Sequence, residues 1–165
     1  MSNVLDSEIL FRQGVSHLEV GEFETALSYF EQAINLYPHA ADAWTCRGLA
    51  LGHLQRYDAC IASFDRALEY RPDDIRIWLN RGIALLDWGR HENALACFER
   101  AIALDPQNDE AWADKGNSLV FLGKNREAIS CFDTALRLNP NHYKAINNRA
   151  NALTNMGKFK RALST

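Results

Sequence analysis

Asn147, Asn148, Asn151 and Asn155 fall at helical spacings within nine residues, and Asn117 lies 34 residues before Asn151. Each carboxamide carries both a donor and an acceptor. A row of them on successive helical turns can therefore hold the N–H and C=O groups of an extended peptide whatever its side chains. One such bond contributes only about 0.5–1.5 kcal/mol net, so several must act together. Asparagine is a mediocre helix former with no local reason to cluster in this way. The bland alternative is a row of solvated surface amides.

The residues that usually carry catalysis or metal show no comparable pattern. His17, His39, His53, His91 and His142 are scattered, none at i, i+4 from another. Cys46, Cys60, Cys97 and Cys131 include no pair at the two-to-four-residue spacing of a zinc site, and a reducing compartment keeps them as thiols. No glycine loop cradles phosphate. The chain is read as non-enzymatic, with no cofactor and no metal.

The elements that must position the asparagines are set by a period of 34 residues that runs without insertion or deletion. Trp44, Trp78 and Trp112 keep it, as do Gly14, Gly48, Gly82 and Gly116, then Phe30, Phe64, Phe98 and Phe132. Ala33, Ala67, Ala101 and Ala135, and Pro38, Pro72, Pro106 and Pro140, keep the same register. Numbered from 1, the copies are 7–40, 41–74, 75–108 and 109–142, with a partial fifth at 143–165. The match includes Trp44-x-x-Arg47-Gly48-x-x-Leu51, and Ala94-x-x-x-Phe98-x-x-Ala101-x-x-x-x-Pro106. On these residues the chain resembles the tetratricopeptide repeat family over 7–165. It departs at position 7, where the usual leucine is Gln13, Arg47, Arg81, Lys115 and Arg149, and in the first copy, where Leu10 replaces Trp.

The resemblance implies an all-α solenoid, a right-handed superhelix of stacked antiparallel helix pairs, forming one domain over 1–165. Each repeat reads as two helices. Positions 4, 8 and 11 of the first lie within about 60° of one another at about 100° per residue and form a packing stripe. Glycine at position 8 is expected to leave space for a large ring such as Trp78. Positions 20, 24 and 27 of the second helix form a matching stripe, Ala94, Phe98 and Ala101 in the third copy. Gly21, Gly89, Gly123 and Gly157 suit a left-handed residue closing the first helix, and proline at position 32 stops the second. Asp42 and Glu110 suit the positive end of a helix. The basic residues at position 7 face an acid at position 25 (Glu31, Asp65, Glu99, Asp133), which predicts partly buried pairs within or between repeats rather than a free basic row.

Positions 2, 6, 9 and 13 of the first helix lie roughly opposite the packing stripe. In stacked copies of the family that side lines a concave groove. The candidate peptide-binding residues there are Leu49, Asn80, Ile83, Asp87, Asp114, Asn117, Phe121, Asn147, Asn148 and Asn151. The first half is apolar, through Val15, Leu49 and Ile83, and the second gathers the asparagines. Well-known family members grip the carboxylate end of chaperone tails with lysines and asparagines. Here position 5 reads Phe11, Thr45, Leu79, Ala113 and Asn147, so the first lysine of that clamp is missing, and only Asn117 with Asn148 reproduces its middle. Acids on the groove positions outnumber bases, which argues against a strongly acidic ligand.

A net charge of -3 with 24% charged residues gives no reason to expect nucleic acid or an anionic membrane. No apolar run approaches the roughly 20 residues of a span, and the start lacks a signal peptide's regions, so the cytoplasm is the expected compartment. In the fifth copy, residues 143–156 read as a capping helix, with Ile146, Ala150 and Leu153 covering the fourth repeat and Lys144 and the asparagines facing water. Residues 158–165 read as a second helix that stops before its phenylalanine. Three roles follow: a peptide-binding adaptor, the targeting arm of a larger enzyme cut at 165, or self-association through Phe159 and Leu163 at the C-terminal end.

Overall fold

The computed structural model describes residues 2–164, and every regular element in it is helical. The order is α1 (Ser2–Glu19), α2 (Phe23–Leu36), α3 (Ala41–His53), α4 (Tyr57–Tyr70), α5 (Ile75–Asp87), α6 (His91–Leu104), α7 (Asp109–Phe121), α8 (Asn125–Leu138) and α9 (Tyr143–Ser164). Among the described residues there is no strand. The chain forms two compact units, Met1–Ala84 and Leu85–Thr165. Within the first, α1 packs on α2, α2 on α3 and α3 on α4; within the second, α6 packs on α7, α7 on α8 and α8 on α9.

The turns follow from the residues that close them. Gly21, Gly89 and Gly123 take φ of 82°, 79° and 75°, the left-handed region where a Cβ is penalised. Glu22, Arg90 and Lys124 then donate N–H to His17, Leu85 and Leu119, the six-to-one bond that closes a helix C-terminus. In the second copy the same job falls to Gln55 at φ 58°, with Arg56 bonded back to Leu51. Each second helix stops two residues before its proline, at Leu36, Tyr70, Leu104 and Leu138.

The core of each unit is built on the period-34 phenylalanines. Phe30 and Phe64 in the first unit, and Phe98 and Phe132 in the second, are at most 1% exposed. The alanines at position 27, and Ala26, Ala94 and Ala128 at position 20, are fully buried on either side of them. The glycine at position 8 serves this ring and not the tryptophan. A Cβ on Gly14, Gly48 or Gly116 would stand 2.6, 2.8 or 2.5 Å from Phe30, Phe64 or Phe132 of its own repeat. The expectation that Trp78 fills that space is thus corrected. Trp44, Trp78 and Trp112 are only half-buried, and each donates its indole N–H to the carbonyl of Pro38, Pro72 or Pro106, at 2.8–2.9 Å. They tie the junction between one copy and the next.

The pairs predicted for position 7 form between copies: Arg47 with Glu31 (3.5 Å), Arg81 with Asp65 (2.9 Å), Lys115 with Glu99 (3.6 Å) and Arg149 with Asp133 (2.6 Å). There is accordingly no free basic row.

The fifth copy departs from expectation twice. Gly157 does not end a helix; α9 runs unbroken through it to Ser164. Extending a helix adds one hydrogen bond for each residue ordered, whereas a separate second helix must be nucleated. Second, Ile146, Ala150 and Leu153 do not cover the fourth repeat. Ile146 and Leu153 are 45% and 46% exposed, while Ala145 and Ala152 are buried against the preceding pair. A first helix has two packing sides. Positions 3 and 10 meet the preceding copy, whereas position 8 of the earlier copies faces the second helix of its own copy.

Candidate functional site

The predicted groove residues fall into two sets, one in each unit. In the first unit, α3 and α5 present Leu49, Asn80 and Ile83. Leu49 and Asn80 line a cavity of about 410 Å³ together with Phe11, Thr45, Cys46 and Ile77. Asp42 and Arg71, joined by Nη–Oδ bonds of 2.7 and 3.3 Å, complete its polar edge with Asp74 and Arg76. Ile83 lies outside this lining and is 37% exposed. Phe11 and Thr45 occupy position 5, which the wheel leaves beside the groove; their side chains reach in because position 5 is next to position 9 around the helix. Burial pushes the Cys46 thiol up to about 11, with Asp42 adding to the shift and Arg76 opposing it, so this thiol stays neutral.

In the second unit, Asp87 and Phe121 are exposed at the ends of α5 and α7. Phe121, 60% exposed, stacks at 4.7 Å on His91, which makes it part of the turn face rather than an isolated groove residue. Asn117 on α7 and Asn148 on α9 are half-buried, and Asn147, Asn151 and Asn155 are exposed. α7, which carries Asn117, and α9, which carries the other four asparagines, pack directly on one another. Among the described residues, none of these five carboxamides makes a side-chain hydrogen bond to the protein.

Asp114 is the residue most misplaced by the helical wheel. It was expected at the open groove and is 5% exposed. The turn before α9 explains this. His142 is buried and accepts the Ala145 N–H on Nδ1 (3.2 Å), capping α9, while Nε2 stands 2.9 Å from Glu110. With Nδ1 accepting, the proton of the neutral ring belongs on Nε2 and is donated to Glu110. Glu110 also accepts from Lys144 Nζ at 2.5 Å. This clasp draws the start of α9 over the first turn of α7 and closes in Asp114. Burial pushes the Asp114 carboxyl from 3.8 to about 7; Glu110 adds to that rise, and Lys144 and His142 oppose it.

Among the described residues no group of histidine, cysteine and carboxylate side chains has the geometry to hold a metal ion. No helix there is long and apolar enough to cross a membrane.

Comparison with known proteins agrees with this architecture. Models described as "Tetratricopeptide repeat" match residues 7–40, 41–74, 75–108, 109–142 and 131–164. Over 56 residues the chain is 41% identical to an uncharacterised Methanocaldococcus jannaschii protein, MJ0572, a match to 34% of this chain and 65% of that protein. Among solved structures, the Pseudomonas aeruginosa protein pilF superposes with a TM-score of 0.83 at 20% identity, covering 99% of this chain and 75% of its own. The structure "MamA 41-end from Desulfovibrio magneticus RS-1" gives 0.78 at 20% identity over 94% of both chains. At such identities the likeness is one of fold.

Proposed function

The chain belongs to the tetratricopeptide repeat family, and from that premise we propose that it is a non-catalytic adaptor that binds an extended segment of a partner protein along the concave side of its first helices. The observation that carries this reading is the set of amides without a side-chain partner among the described residues, Asn117 on α7 and Asn147, Asn148, Asn151 and Asn155 on the α9 that packs against it. A peptide backbone supplies both the donors and the acceptors they lack. In the first unit the cavity around Leu49, Asn80 and Phe11 offers apolar side-chain pockets instead.

The test is capture of partners on immobilised protein from an extract of the source cell, beside a variant with Asn117, Asn148 and Asn151 changed to alanine and shown by circular dichroism to remain helical. A partner held by the native chain and lost by the variant supports the reading. Equal capture by both would sink it.

A second reading rests on α9. Ile146, Leu153, Phe159 and Leu163 are exposed along it, and a cavity of about 520 Å³ opens between Met156, Phe159 and Leu163 and the start of α8. A second copy of the chain packing there would bury this surface. Light scattering over a hundredfold range of concentration tests it, and a constant monomer mass would dismiss it.

A further inference from the structure

Asp114 lies one turn before Asn117 on α7, on the side against which α9 packs. Its Oδ2 is buried without a hydrogen-bond partner among the described residues. Leaving a buried acceptor unpaired is unfavourable, and more so when it is ionised. The surrounding groups do not supply what it needs. Glu110 already takes both nearby donors, His142 Nε2 and Lys144 Nζ, and Asp109 takes the Asn139 amide at 2.8 Å. Three carboxyl groups, Asp109, Glu110 and Asp114, thus gather around the ammonium of Lys144 and the ring of His142. The junction of α7 and α9 therefore holds a buried acceptor that its neighbours leave unpaired.

Lys144 shows which chemistry fits. Its ammonium is held at Glu110 within electrostatic reach of Asp114, and both carboxylates raise its affinity for a proton. Its side chain is nonetheless 62% exposed, so the head group can swing aside at little cost. We propose that one lysine or arginine side chain of the bound segment enters the junction of α7 and α9 beside Lys144 and pairs with the Asp114 carboxylate. This rests on the reading of that face as a peptide site and gives it a register: a cationic residue opposite Asp114, with its backbone neighbours over Asn117 and Asn148. The same repeat position in the first unit is Cys46, a thiol that burial keeps neutral.

The test titrates ¹⁵N-labelled protein at pH 8 with the Nα-acetyl methylamides of lysine, arginine and norleucine, which share a backbone and differ in the head group. Saturable shifts of α7 and α9 amides around Asp114 and Asn148 are expected, with lysine or arginine binding about tenfold more tightly than norleucine, and with Asp114→Asn reducing the cations to the norleucine level. Equal affinity for all three probes, shifts confined to other helices, or an unchanged affinity in Asp114→Asn would overturn the proposal. Should that variant not fold, the three-probe comparison on the native chain decides alone. A chain that loses its partner with the three asparagines yet treats lysine and norleucine alike keeps the peptide reading and loses this one.

Discussion

Cys46 in the first unit and Asp114 in the second stand at the same repeat position, each with an acid four residues before it, Asp42 or Glu110, and a base one copy on, Arg76 or Lys144. The frame is one and the chemistry is two. Burial lifts both groups, the thiol to about 11 and the carboxyl to about 7, so that one is neutral at every ordinary pH and the other is poised to change charge. The neighbouring position 9 repeats the contrast, with Leu49 and Ile83 against Asn117 and Asn151. A repeat array lets the scaffold residues stay in phase while the positions that no neighbour needs diverge from copy to copy.

If the scaffolds are equivalent, the largest effects should be alike in both units. Phe64→Ala and Phe132→Ala each remove a ring at most 1% exposed and should each cost about 3–5 kcal/mol in urea unfolding. A cost in one unit less than half that in the other would break the equivalence.

The next largest effect should separate the units. Asp114 binds its proton more tightly in the folded chain, where it titrates near 7, than at its ordinary 3.8. Between those values the folded state holds a proton that unfolding releases, so stability falls as pH rises through the window and levels off above it. Asp114→Asn should remove that slope and gain on the order of 2–4 kcal/mol relative to wild type on going from pH 4 to pH 8. Cys46→Ser should show no pH-dependent difference over the same range. Parallel curves for wild type and Asp114→Asn would mean that Asp114 is better solvated than its place in the fold implies.

Gly48→Ala and Gly116→Ala should each cost about 1–3 kcal/mol, because the new methyl group meets a phenylalanine ring that fills its pocket. Both should lower the thermal midpoint by similar amounts. The smallest effect again distinguishes the units. Gln55, at φ 58°, holds the turn that glycine holds at Gly123. Gln55→Gly should therefore add about 0.5–1 kcal/mol and Gly123→Gln should remove a similar amount, read as opposite shifts in the urea midpoint.

Much of this was legible in advance because it is local or strictly periodic. Helix ends could be placed from Gly21, Gly89, Gly123 and the four prolines, and the buried rings from one residue type recurring every 34 positions. The pairs of position 7 with position 25 were legible because complementary charges kept the same separation in every copy. What was misread depended on knowing which neighbour lies on which side. The wheel identified Ile146 and Leu153 as apolar but could not tell the side that meets the preceding copy from the side that meets its own second helix. It placed Asp114 at the open groove because nothing in the repeat pattern signals that His142 and Lys144 will clasp Glu110 across it.

By itself, then, the amino-acid order determined the helix pairs, their punctuation and the rings that fill them, since each is set within one or two copies and repeated. Tertiary structure alone decided that glycine makes room for phenylalanine rather than tryptophan, that α9 continues through Gly157, and that Asp114 Oδ2 is buried without a hydrogen-bond partner among the described residues. Those outcomes depend on whether a particular neighbour is present to pack, cap or neutralise, and such a balance belongs to the assembled copies rather than to any one of them.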